Sequence, residues 1–294
     1  MAVAVVLVGA LLGTAAVWTN TFEAGNHLEG LLTRMRLAID PPPDRPTRPT
    51  VTVTEPPELT PAPTPYVSLA PDATPIPTPT PTTAPVRAPV DVNLLRNPKA
   101  FFVTELTKDW CAPAGVQITL AILGKADTSE HFQRTLVSRV NDWEAWSDSH
   151  NGDWGPAAMV QALEAYGAPG YEIRAYETRT RALHDAAAAL SRTHAPVLLL
   201  AWRGAHTWVM TGYRATADPT IFGDARVTGT YILDPWYPRV STIWGASDPP
   251  GTFQDDAEMK RNFLPWKRPE GAYPERDGKF IVLIPSVPVS PPAG

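Results

Sequence analysis

The sequence predicts an α+β fold, and three observations carry that expectation. Helical patterns fill the first half of the globular part of the chain, and strand patterns fill the second. Residues 196–213 hold two apolar runs around a short glycine turn, the mark of antiparallel strands in a β-hairpin. The single cysteine, Cys111, opens an apolar helical stretch, so no internal disulfide framework replaces a packed core.

The first helix is expected over residues 112–123. Pro113 suits a first turn, where a missing N–H costs nothing, and Gly124 is a natural stop. Val116, Ile118, Leu120, Ala121, Ile122 and Leu123 lie all round the axis, which predicts a buried helix. A mixed helical segment follows at 129–146, then a polar loop at 147–153. A second helix spans 155–166, closed by Gly167. Residues 171–176 alternate as a short strand. Residues 180–192 read as a helix with His184 and Asp185 exposed among alanines. Residues 196–202 form a buried strand, 203–205 a turn and 206–213 the returning strand. A third strand at 230–233 stops at Asp234-Pro235, and 280–284 is the last.

The N-terminal part has another composition. Residues 2–18 carry no charge and approach the length of a membrane span, or the apolar part of a secretion signal with Ala15 and Ala16 near a cleavage point. Seventeen of the thirty-four prolines fall between 41 and 90. That Pro/Thr-rich stretch cannot bury a core and reads as an extended spacer. The organisation expected is therefore 1–20 signal or transmembrane segment, 21–40 juxtamembrane segment, 41–92 disordered linker, 93–288 catalytic-sized domain and 289–294 tail. Arg34 and Arg36 would hold the following chain in the cytoplasm by the positive-inside tendency. A Pro/Thr-rich stalk instead suits an extracytoplasmic domain, the placement favoured here; cleavage would make the protein secreted. The net charge of −5, with no basic stripe, excludes a nucleic-acid-binding surface.

Three residues fall at the ends of elements, where catalytic groups are mounted. Cys111 starts the core helix, where exposed N–H groups and the helix dipole favour thiolate. His206 begins a strand, and Asp234 follows one. A thiol, an imidazole to take its proton and a carboxylate to orient the imidazole make a nucleophilic triad. Such a triad requires the sulfur to lie about 4 Å from one His206 nitrogen, with Asp234 on the other. A buried cysteine acting as a small hydrophobe is the competing reading. Trp110, Trp202, Trp208 and Trp236 cluster around these positions. Trp110 and Trp236 are candidates for a cleft wall, and Trp208 belongs to the sheet; core packing is the alternative for all. His131, His150, His184 and His194 read as surface or cap histidines. The loop with Asp148, His150, Asn151 and Asp153 lacks the later glutamate of an EF-hand and reads as a solvated turn. No cofactor and no metal ion is expected.

Cys111-Ala112-Pro113-Ala114, the run from Pro196 to His206, and Leu233-Asp234-Pro235 resemble, in order and spacing, the motifs of papain-like cysteine peptidases of the bacterial C39-like family. The resemblance covers about 100–245. It implies a papain-like fold with Cys111 as nucleophile, His206 as general base then acid, and Asp234 as the orienting group, acting on amide bonds of a peptide or protein substrate. Two departures stand out. Ala112 replaces the usual Gly. Glu105 occupies the position, six before the cysteine, where the family has a Gln donating to the oxyanion hole; an ionised carboxylate cannot donate. Glu105 held protonated, or Thr104, Thr107 or Lys108, would be alternative donors. Gln117 lies on the helix body, nearly two turns past Cys111. Two rival functions share this frame: a peptidoglycan amidase or endopeptidase acting at the cell wall, and a peptide-binding module that has lost turnover.

Overall fold

The computed structural model describes residues 85–139, 154–267 and 273–288. The compact unit described below is Val86–Gly294. The apolar segment, nearly all of the linker, the polar loop with its Asp148, His150, Asn151 and Asp153, and the tail lie outside the described residues. Among the described residues no helix is long and apolar enough to cross a membrane.

Nine strands and five α-helices make up the described fold: β1 (Val90–Asn93), α1 (Cys111–Ile122), α2 (Glu130–Ser138), α3 (Pro156–Ala165), β2 (Tyr171–Tyr176), α4 (Arg179–Thr193), β3 (Val197–Ala201), β4 (His206–Ala215), β5 (Val227–Leu233), β6 (Val240–Ser241), β7 (Gly245–Ala246), β8 (Thr252–Asp255), α5 (Asp256–Asn262) and β9 (Phe280–Pro285). The main sheet is antiparallel throughout, in the order β2-β9-β3-β4-β5-β8, and β1 pairs with the far half of β4. β6 and β7 make a separate two-stranded hairpin. The fold is α+β, as expected.

Local chemistry explains the element ends. Pro156 sits in the first turn of α3, where it costs no hydrogen bond. Ser129 and Thr178 cap α2 and α4 with their side chains, each satisfying an otherwise orphaned N–H. Gly124 and Gly167 take φ of +68° and +83° just past α1 and α3, a conformation without steric cost for glycine. His194 does the same work at the end of α4 with φ +54°.

β3 is buried on both faces, and this decides the layering. Leu198 and Leu200 join one core with Val116, Ile118 and Leu120 of α1 and Met159 and Leu163 of α3. Val197 and Leu199 join a second core with Leu183 and Leu190 of α4 and Met259 of α5. Successive strand residues point to opposite faces, so a sheet covered on both sides must carry an unbroken apolar run here. Helix α1 is buried from Cys111 through Ala121, which agrees with its all-round apolar sequence.

Helix α1 meets the sheet at Gly115. A methyl group added there would lie 2.7 Å from the Thr207 Cγ2. Glycine in mid-helix weakens the helix by up to about 1 kcal/mol relative to alanine, so its presence reflects this close approach to β4.

Four differences from the sequence reading have physical causes. Residues 90–92, assigned to the linker by composition, form β1 together with Asn93 and hydrogen-bond to β4. The helical segment expected to run to residue 146 ends as α2 at Ser138, and residues 140–153 lie outside the described residues. His184 is buried, not exposed, and Asp185 is half-buried. The His184 ring bonds the Asp185 carboxylate through Nδ1 at 2.9 Å and the Phe222 carbonyl through Nε2 at 3.2 Å. The 217–225 loop covers a helix face that the alanine-rich sequence left unmarked. Finally, β8 and α5 had no counterpart in the reading.

Gly115→Ala tests the close approach. Overpacking costs about 1–3 kcal/mol, more than the helix gains, so the variant is expected to unfold at lower denaturant concentration than the wild type. Equal or greater stability would show that α1 and β4 are not tightly seated.

Candidate active site

Cys111 is the first residue of α1 and His206 the first of β4, and Asp234 immediately follows β5. Because β4 pairs with β5, His206 and Asp234 come together across 28 residues of sequence: Nε2 of His206 lies 2.6 Å from Oδ1 of Asp234. The same Oδ1 accepts the Trp236 backbone N–H at 2.9 Å, so the carboxylate is fixed before it fixes the imidazole. The contact of α1 with β4 at Gly115 brings in the cysteine. Sγ of Cys111, a ring nitrogen of His206 and a carboxylate oxygen of Glu105 all lie within 4.8 Å of one another. The thiol hydrogen bonds weakly to the Ala205 carbonyl at 3.9 Å.

A strained turn positions the imidazole. Trp202 and Arg203 both have positive φ, +52° and +62°, and Gly204 follows at +87°. Left-handed non-glycine residues cost on the order of 1–3 kcal/mol each, and here they carry Trp202 onto His206. The two rings stack at 4.1 Å and 19°. Trp244 stacks on Trp202 at 5.7 Å, and Trp236 meets His206 edge-on at 6.2 Å. Trp202 is anchored by its indole N–H, which donates to Asn262 of α5 at 3.1 Å.

Glu105 is fully buried, and the segment around it is clamped from two sides. On one side Gln133 of α2 accepts the Leu106 N–H at 2.8 Å and donates to the Thr104 carbonyl at 3.2 Å and to Gln117 at 3.2 Å. Gln117 donates to the carbonyls of Asp127 and Ser129. On the other side the Glu105 N–H donates to the Pro235 carbonyl at 3.0 Å, and the Thr104 hydroxyl donates to the Tyr237 carbonyl at 2.8 Å. Arg239 donates to Glu105 Oε1 at 3.1 Å and to the Leu106 carbonyl at 3.2 Å. Among the described residues, Oε2 of Glu105 has no hydrogen-bond partner, nor does the Thr107 hydroxyl.

The electrostatics run against the expectation from the helix end. Burial pushes the Cys111 thiol up, the Glu105 carboxyl adds to that, and backbone hydrogen bonds with Thr207 and Ala112 oppose it more weakly. Desolvation of a buried sulfur outweighs a helix N-terminus, which is worth about 0.3–1 kcal/mol. Burial also raises the Glu105 carboxyl well above the usual range, with Arg239 pulling it down and Asp234 pushing it up.

Trp110 sits at the N-cap position of α1 and is half-buried, like Trp236; Trp208 lies buried in β4. His131 and His194 are exposed and away from the cluster; His150 lies outside the described residues. Arg239, Gln133, Trp202 and Trp244 form the surroundings of the site; of these, the sequence pointed only to Trp202, one of the tryptophans clustered near Cys111, His206 and Asp234.

Gln133→Leu tests the clamp. It leaves the Leu106 N–H and Thr104 carbonyl unpaired, at about 1–3 kcal/mol for a buried group. The expected result is a clear fall in the denaturation midpoint together with faster alkylation of Cys111 as the 104–106 segment loosens. Unchanged values for both would remove Gln133 from the site's support.

No family model matches the chain, and no curated protein matches it. Among solved structures the chain is similar to a double-glycine motif protease from an AMS/PCAT transporter, determined in complex with a leader peptide. The identity is 15%, the match covers 63% of this chain and 91% of that chain, and the TM-score is 0.31.

Proposed function

We propose that the unit from Val86 onward is a cysteine peptidase of papain-like, C39-like type. The observation that carries the reading is the buried His206–Asp234 pair at 2.6 Å, with the Cys111 sulfur within 4.8 Å of a His206 nitrogen. Asp234 engages Nε2, which leaves Nδ1 to take the thiol proton. The thiolate then adds to a peptide carbonyl. His206 returns the proton to the departing amine, and an acyl-enzyme remains for water to hydrolyse with the same base. The apolar segment at 1–20 and the Pro/Thr-rich linker fit a domain carried outside a membrane, or released from it.

A second reading is favoured by one set of observations: a raised thiol, and a carboxyl where a donor is needed. Both suit a module that binds peptide without cleaving it.

Labelling separates the two. Iodoacetamide or an E-64-type epoxide is expected to modify Cys111 in the wild type well above a free-thiol background and to fail in His206→Ala. Equal labelling of both, with no cleavage of a peptide mixture, supports the binding module. Glu105→Gln is expected to raise kcat/KM on the same mixture. The amide keeps an acceptor for Arg239 and adds a permanent N–H donor, and one oxyanion donor is worth roughly 10²–10³ in rate. A fall in rate would show that Glu105 itself serves the reaction.

A further inference from the structure

We infer that Cys111, His206 and Glu105 form a binding site for one divalent transition-metal ion of the zinc class. Their three ligand atoms lie within 4.8 Å of one another, and all three residues are buried, with Glu105 at 0% exposure, His206 at 2% and Cys111 at 8%. Metal–ligand bonds of about 2.0–2.3 Å place the donors of a tetrahedral ion closer together than that, so the side chains close in by small rotations. Thiolate, imidazole and carboxylate together match the ligand preferences of Zn²⁺, and three protein ligands leave the fourth position open.

Two further features point to an ion. The first is Oε2 of Glu105. It is a buried carboxylate oxygen with no hydrogen-bond partner, in a place where an unpaired polar atom is costly. A cation would satisfy it. The second is that each ligand already has a supporting partner. Asp234 holds Nε2 of His206 at 2.6 Å, the carboxylate–histidine–metal arrangement that orients an imidazole for coordination. Arg239 holds Oε1 of Glu105 at 3.1 Å, and backbone groups of Thr207 and Ala112 bond to Cys111. The Cys111 thiolate and the Glu105 and Asp234 carboxylates together balance the two positive charges of the ion and the one of Arg239. On binding, the Cys111 sulfur–hydrogen bond breaks, its proton leaves to solvent and the sulfur–metal bond forms; nothing is oxidised or reduced.

The consequence rests on the peptidase reading. A bound ion occupies the sulfur lone pair of the nucleophile and the imidazole nitrogen of the base, so the metal-loaded chain cannot form an acyl-enzyme. Glu105 standing where a glutamine donor is expected supplies the third ligand for this off-state. A glutamine there would contribute a weaker, neutral donor.

The probe is Co²⁺, titrated into the full chain freed of metal by chelation, with Zn²⁺ then added in competition. The wild type is expected to bind one Co²⁺ and show a near-ultraviolet thiolate-to-cobalt charge-transfer band with visible bands of a four-coordinate ion, all lost on adding Zn²⁺. Cys111→Ser loses the charge-transfer band. Asp234→Asn weakens binding by roughly 10- to 100-fold, as loss of an outer-shell partner does, and Glu105→Gln weakens it further. Circular dichroism of each variant confirms that it is folded. Absence of the band in the wild type overturns the proposal, as does a band that survives unchanged in both Glu105→Gln and His206→Ala. Alkylation of Cys111 in chelator is the separate readout of the peptidase reading. A chain that binds Co²⁺ but is never selectively alkylated keeps the metal site and loses the enzyme; a chain alkylated selectively without binding Co²⁺ does the reverse.

Discussion

The seating of α1 on β4 is the contact on which the rest of this structure depends. Helix α1 is buried on every side, so it cannot shift toward solvent to relieve a poor fit. Its distance from the sheet is set where Gly115 faces Thr207. Four residues before Gly115 stands Cys111, one turn of helix away, and one residue before Thr207 stands His206. A single steric contact therefore fixes both the centre of one core and the separation of the sulfur from the imidazole. The opposite face of the sheet, filled by α4 and α5, makes the strand positions rigid enough for that contact to matter.

The second constraint is local and works against the first. The stacked rings of His206, Trp202 and Trp244 require a turn with consecutive left-handed residues, a conformation that is costly away from glycine. Gly204 takes the third left-handed position because a side chain there would run into the Trp266 ring. Core burial on both sides of β3 and the Trp202–Asn262 hydrogen bond hold the turn against its strain. This is the pattern of an over-determined site, in which surrounding structure keeps a few residues in a geometry they would not choose alone.

How much of this was legible in the sequence follows from how local each signal is. Helix α1 was readable because Pro113, Gly124 and an all-round apolar pattern lie within a dozen residues. The β3–β4 hairpin was readable because two apolar runs flank one glycine. Strand β1 was not: its alternating Val-Asp-Val-Asn pattern follows a proline-rich stretch, and its partner in β4 lies more than a hundred residues away. Helix α5 carried a signal that was overlooked, since Asp255 caps the N–H groups of Ala257 and Glu258 and opens a capping pattern with Glu258. Cys111, His206 and Asp234 were readable as ends of elements. Arg239 and Gln133 were not, because neither lies in a motif. Arg239 reaches Glu105 across 134 residues, and Gln133 interrupts a helix face whose other side is solvent.

Glu105 ties these strands of argument together. A buried carboxyl close to a thiol and a second carboxylate is a poor choice for stability, because desolvation and like charge both oppose its ionisation. The fold nevertheless invests five hydrogen bonds in placing the segment that carries it: it accepts from Gln133 and Arg239 and donates to Gln133, Pro235 and Tyr237. Arg239 satisfies Oε1 and leaves Oε2 without a hydrogen-bond partner among the described residues. A residue filling space there would need neither the clamp nor the guanidinium, and an apolar side chain of similar size would pack with less cost. The arrangement makes physical sense if the open oxygen meets something that is not part of the chain: a developing negative charge if the carboxyl is protonated, or a cation if it is not. Either way, this position shapes the environment of the Cys111 sulfur more than any other residue around it.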